Sequence, residues 1–81
     1  MGSAPEFSVY PNPVHDYLII ETPQTKDESF VTIYNLNGEE MLKKQISGNV
    51  TKLDIQSFTD GVYVVKLIQG KAVEVRKIVK R

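Results

Sequence analysis

The sequence predicts an all-β fold, an immunoglobulin-like antiparallel β-sandwich of about seven short strands. Three observations point there. Short runs of β-branched and aromatic residues recur along the chain, each bounded by glycine, proline or asparagine. The strongest runs alternate apolar and polar positions, the period of two that a half-buried strand requires. No apolar stretch keeps helical periodicity for long, which leaves room for single turns at residues 43–45 and 55–58 and nothing longer. A small barrel and an incomplete sandwich are the competing arrangements.

Residues 8–10 make a brief extended piece that stops at Pro11-Asn12-Pro13. The two prolines remove two backbone donors and push Tyr10 and Asn12 toward extended dihedrals, so this segment belongs at an edge or a crossover. Residues 17–21 are the next strand, with Leu18 and Ile20 on one face. Residues 22–29 are polar and contain Pro23, which makes them a loop. Residues 30–35 are β-branched and aromatic, and Asn35-Leu36-Asn37-Gly38 turns them back, because Asn37 and Gly38 both tolerate the positive φ of a primed hairpin turn. Residues 40–46 pair across that turn, residues 47–49 turn again, and residues 50–55 place Leu53 and Ile55 inward.

Asp60-Gly61 opens the strongest strand, residues 62–68, in which Tyr63, Val65 and Leu67 share one face. Gln69-Gly70-Lys71 leads tightly into the last strand, residues 72–80. There Val73 and Val75 alternate as a strand should, but the phase slips near Arg76 and Lys77 before Ile78 and Val79. That slip predicts a bulge.

A chain of 81 residues is one domain with a thin core. Without cysteine it has neither a disulfide nor a thiolate metal site. Ten basic and ten acidic residues cancel. The balance argues against a nucleic-acid binder and against an electrostatic membrane anchor, both of which need a concentrated positive field. No apolar run approaches the roughly 18 residues that span a bilayer. Residues 1–7 lack the basic and apolar regions of a signal peptide and read as vector-derived, which leaves residues 8–81 as the domain proper. Any export signal is expected at the start of a longer parent.

The inventory for chemistry is nearly empty. Ser8, His15 and Asp16 are the one formal triad, yet adjacent His and Asp cannot readily orient one another around a nucleophile, and no oxyanion glycine loop accompanies them. His15-Asp16 reads as a solvated turn. The carboxylate pairs Asp27-Glu28 and Glu39-Glu40 lie in or beside turns, and neighbouring strand positions diverge, so charged solvent faces are expected rather than a calcium site. No enzyme activity, cofactor or metal is expected of this chain.

Three features remain. Lys77, Ile78, Val79, Lys80 and Arg81 form a basic end, which reads either as a charged edge that discourages aggregation or as a strand end open to a partner. Tyr63, two residues after Gly61, resembles the tyrosine corner of immunoglobulin-like sandwiches, and an ordinary buried tyrosine fits the pattern equally well. Tyr10, Tyr17 and Tyr34 fall on or near outward phases, where they could stack on sugar or mark a protein contact, although strand propensity alone accounts for them.

The order of these motifs resembles the C-terminal sorting domain family of the type IX (Por) secretion system. Val9-Tyr10-Pro11-Asn12-Pro13, followed by Leu18 and Ile20, looks like its opening motif. Val31-Thr32-Ile33-Tyr34-Asn35 and Gly38 resemble its central strand and turn. Leu53-Asp54-Ile55, Phe58, Gly61, Tyr63 and Val65 resemble the next block, and Lys77-Ile78-Val79-Lys80 resembles the terminal motif.

The resemblance implies an immunoglobulin-like fold and a sorting function in Bacteroidota, where such domains end exported proteases, adhesins and other virulence-associated enzymes. They carry an upstream cargo from the periplasm across the outer membrane to the cell surface or beyond. The implied partners are translocon components and a sortase-like cysteine peptidase that removes the domain as cargo is anchored. Carried over residue by residue, Pro11, Asn12 and Pro13 would shape the first crossover, and Gly38 and Gly61 would permit turns that a Cβ would obstruct. Lys77 to Arg81 would be the portion the translocon reads, with Arg81 extending past the usual lysine ending. The exposed strand edges also offer a route to a homodimer. The alternative of a different class is an accessory module binding carbohydrate or protein at the cell surface, which the absence of tryptophan disfavours.

Overall fold

The computed structural model describes residues 7–23, 28–46 and 48–81. Residues 1–6 of the segment 1–7 read as vector-derived, residues 24–27 of the polar loop (with Asp27 of one carboxylate pair) and Ser47 of the second turn lie outside the described residues. The described chain forms β1 (Ser8–Tyr10), β2 (Tyr17–Glu21), β3 (Ser29–Asn35), β4 (Glu40–Ile46), β5 (Val50–Asp54), β6 (Gly61–Gln69) and β7 (Ala72–Lys80). One sheet has the order β1-β2-β5, the other β4-β3-β6-β7, and all neighbouring strands are antiparallel. β2 pairs with β5 and β3 with β6, so each sheet draws on both halves of the chain. That cross-pairing is the Greek-key arrangement of immunoglobulin-like sandwiches.

Strand periodicity decides which side chains meet between the sheets. Leu18 and Ile20 of β2, Leu53 of β5 and the following Ile55 face Val31, Ile33, Val65 and Leu67 across the sandwich, all at most 2% exposed. Each such aliphatic side chain contributes about 1.5–3 kcal/mol when fully withdrawn from water. Leu42 and Phe58 pack against this core from its margin. Phe7, set aside with the vector-like residues, also joins it, with the Arg76 guanidinium 4.6 Å from its ring centroid.

Two local expectations are corrected. The β3–β4 hairpin exists, but its turn is not a two-residue primed turn. Gly38 has φ +83, while no non-glycine residue among those described has positive φ, so Asn37 does not share that conformation. Gly38 N–H donates to the Asn35 carbonyl at 3.1 Å, and Asn35 N–H donates to the Glu39 carbonyl at 3.0 Å. The Asn35 side chain closes the loop: its Oδ1 accepts from the amides of Asn37 (2.9 Å) and Glu39 (3.0 Å). This is an asparagine-built turn with one glycine in the left-handed region.

The last strand has no bulge. β6 and β7 pair continuously from Gly61↔Lys80 to Gln69↔Ala72. The apparent slip arises because Val73, Val75 and Val79 face outward while Glu74 and Arg76 sit on the inner side, where Arg76 lies over Phe7 and bridges Glu74 at 3.4 Å. Hydrophobicity alone assigned those positions to the wrong faces.

Candidate recognition site at the C-terminal strand

The residues that carry the site are far apart in sequence. Pro11, Asn12 and Pro13 leave the edge strand β1, with cis peptide bonds before both prolines, and all three side chains are exposed. The next residue, Val14, is fully buried and forms a parallel bridge with Lys80. Val14 N–H donates to the Val79 carbonyl at 2.8 Å, and Arg81 N–H donates to the Val14 carbonyl at 2.9 Å. Asn12 Oδ1 accepts from Val79 N–H at 2.9 Å. His15 Nδ1–H donates to a main-chain oxygen of Arg81 at 2.8 Å. Residues 12–15 thus run beside the end of β7 through a single isolated bridge, which joins the three-stranded sheet's first loop to the other sheet.

Strand alternation divides the basic end in two. Ile78 (1% exposed) and Lys80 (7%) point inward, and Ile78 pairs with Tyr63. Lys77 and Arg81 are exposed and Val79 is half-buried on the outward side. Lys80 Nζ reaches the Arg81 main-chain oxygen at 3.5 Å. The last residues are therefore a docked strand.

At the same end of the sandwich, where Gly61 pairs with Lys80, Phe58 N–H donates to the Ile55 carbonyl at 3.0 Å, forming the single turn between β5 and β6. Tyr63 is buried, and its hydroxyl donates to the Thr59 carbonyl at 2.7 Å, the bond a tyrosine corner makes. The Phe58 ring lies 5.1 Å away at 41°. At Gly38 and Gly61 (φ +156) a Cβ would meet nothing within 4 Å. The expectation of obstruction is corrected: the demand there is on backbone torsion.

The tyrosines do not make a free platform. Tyr10 and Tyr17 are both 41% exposed, but Lys52 Nζ sits 4.1 Å over the Tyr17 ring and Gln56 Nε2 donates to its hydroxyl at 3.0 Å. The side-chain hydrogen bond from Tyr10 to Glu21, with smaller contributions from desolvation and the carboxylate charge, holds the Tyr10 phenol above its ordinary pKa. Among the described residues, no cluster of three or more His, Asp or Glu side chains is arranged to hold a metal.

Sequence reasoning missed Val14, His15 and Phe7. Val14 carried a faint signal, an apolar residue directly after Pro13. His15 carried none, since its partner lies 66 residues away.

The described chain is thus an immunoglobulin-like sandwich whose first loop is hydrogen-bonded to its last strand. The chain belongs to the secretion system C-terminal sorting domain family, whose model matches residues 8–81. No curated protein matches it. Membership makes the chain a sorting signal of type IX secretion rather than an enzyme, one that engages the secretion machinery and directs an upstream cargo to the cell surface or the extracellular space.

Proposed function

We propose that the chain is the passenger label of an exported protease, adhesin or other enzyme, and that the translocon reads it through Lys77, Ile78, Val79, Lys80 and Arg81. The cargo moves from the periplasm across the outer membrane of a Bacteroidota cell. A sortase-like cysteine peptidase then removes the label as the cargo is anchored.

The observation that supports this reading is the junction of the two terminal motifs. Asn12 and Val14 hold Val79 and Arg81 in place, so the outward side chains Lys77, Val79 and Arg81 are presented in a fixed row. Inward Ile78 and Lys80 serve by keeping that row attached to the fold. A signal built this way is complete only when the first loop and the last strand are both folded. A homodimer formed through β7 would have to use the part of that strand ahead of Lys80, because Val14 already pairs with its end; β1, β4 and β5 are the other sheet edges.

The test is a charge reversal at the exposed positions, Lys77→Glu with Arg81→Glu, in a periplasmic reporter carrying the chain. The expected result is a domain with unchanged melting temperature whose reporter stays in the periplasm. Export at the parent level would remove these residues from recognition.

A further inference from the structure

We infer that the outer face of the four-stranded sheet is a docking surface for a protein partner whose own surface is apolar and carries carboxylates. The inference rests on the sorting reading, since the partner belongs to the secretion machinery, and widens the contact well beyond residues 77–81.

An antiparallel sheet with one solvated face ordinarily turns polar residues outward. This one does not. In the β6–β7 ladder the outward pairs are Val62↔Val79, Val64↔Lys77, Lys66↔Val75 and Ile68↔Val73. Three of the four outward positions on each strand are therefore aliphatic. Val73 and Val75 are 50% exposed and Val62 37%. On β3 the apolar surface continues through Phe30 and Tyr34, which pair with Ile68 and Val64.

The charges on this face have one dominant sign. Thr32 pairs with Lys43 on one side and Lys66 on the other, so two lysines lie in one row across the sheet, and Lys77 stands in the next. Lys43 Nζ lies 5.6 Å over the Phe30 ring. Among the described residues, the one carboxylate that the register brings to this face is Glu40, at the corner opposite Tyr34.

These charges select the occupant. A second copy packed face to face would set lysine against lysine with almost no acid to answer them. An anionic bilayer would accept lysines, but the face is valine-rich, the chain has no tryptophan, and its net charge of zero supplies no long-range attraction. A protein surface with apolar positions and carboxylates satisfies both features at once.

The test leaves residues 77–81 untouched. Val73→Thr with Val75→Thr keeps the β-branched shape while removing apolarity, and Lys43→Gln with Lys66→Gln removes charge. Val50→Thr with Lys52→Gln on the other sheet is the control. Each variant is carried by the full chain behind a periplasmic reporter, and its folding is checked by thermal melting. The expected result is that both face variants melt like the parent yet export about tenfold less, the consequence of about 1.4 kcal/mol of lost docking energy, while the control exports normally. Parent-level export by both face variants overturns the inference and leaves the sorting reading standing. A parent reporter that is never exported overturns both. Binding of the purified chain to phosphatidylglycerol vesicles that the lysine variant abolishes would reassign the face to lipid and overturn the inference. A dimer in sedimentation that the lysine variant tightens would reassign it to self-association, with the same consequence.

Discussion

Tyr63 shows how one hydroxyl can fix a corner. Its ring supplies core volume beside Phe58, and its hydroxyl satisfies the Thr59 carbonyl at the turn into β6. Tyr63→Phe keeps the first role and removes the second, so it should cost about 1 kcal/mol in a denaturant titration. No change would mean an ordinary buried tyrosine. Tyr10 tests a different interaction. Glu21 holds its phenol proton more tightly in the folded chain than an unfolded chain would. The associated stabilisation is fully present below the ordinary tyrosine pKa and is lost as pH rises through the raised folded value. An ultraviolet titration of the folded chain should show one tyrosine ionising late, and Glu21→Gln should bring it back toward its ordinary value. A late tyrosine that persists in Glu21→Gln would contradict the pairing.

β7 combines two requirements along one strand. Its inward residues, above all Ile78, complete the core, while its outward residues are available to a partner. Deleting residues 77–81 therefore removes a core side chain together with the partners of Asn12, Val14 and His15. Loss of a buried aliphatic side chain alone costs about 2–5 kcal/mol, a large share of what so small a domain possesses. The truncated chain should show no cooperative melting transition. A folded truncation would mean that the last turn of strand is an accessory, and it would weaken the link between folding and recognition. The same strand shows where the sequence was hard to read. Strands β2, β5 and β6 were legible because their apolar residues face the core at every second position. In β7 the valines face outward and Arg76 and Glu74 satisfy each other at the inner margin, so the hydrophobic pattern suggested a bulge that is not there.

For the whole molecule, the fold class was legible because turn chemistry and period two are local properties of sequence, while the family was legible through the resemblance of its motifs in their order. Gly38, Gly61 and the Pro11-Asn12-Pro13 segment could be placed on that basis. The junction between residues 12–15 and the end of β7 could not, because each of its hydrogen bonds uses a main-chain group of β7 or of Arg81 and joins segments more than 60 residues apart. Nothing in the composition of either segment names the other. On the proposed reading, this junction makes the sorting signal a property of the folded sandwich. The most direct test of that account fuses the chain to a periplasmic reporter and compares a type IX-competent strain with one lacking the translocon. The account predicts surface or extracellular reporter in the first strain and periplasmic reporter in the second. A folded reporter that remains in the periplasm of both would contradict it.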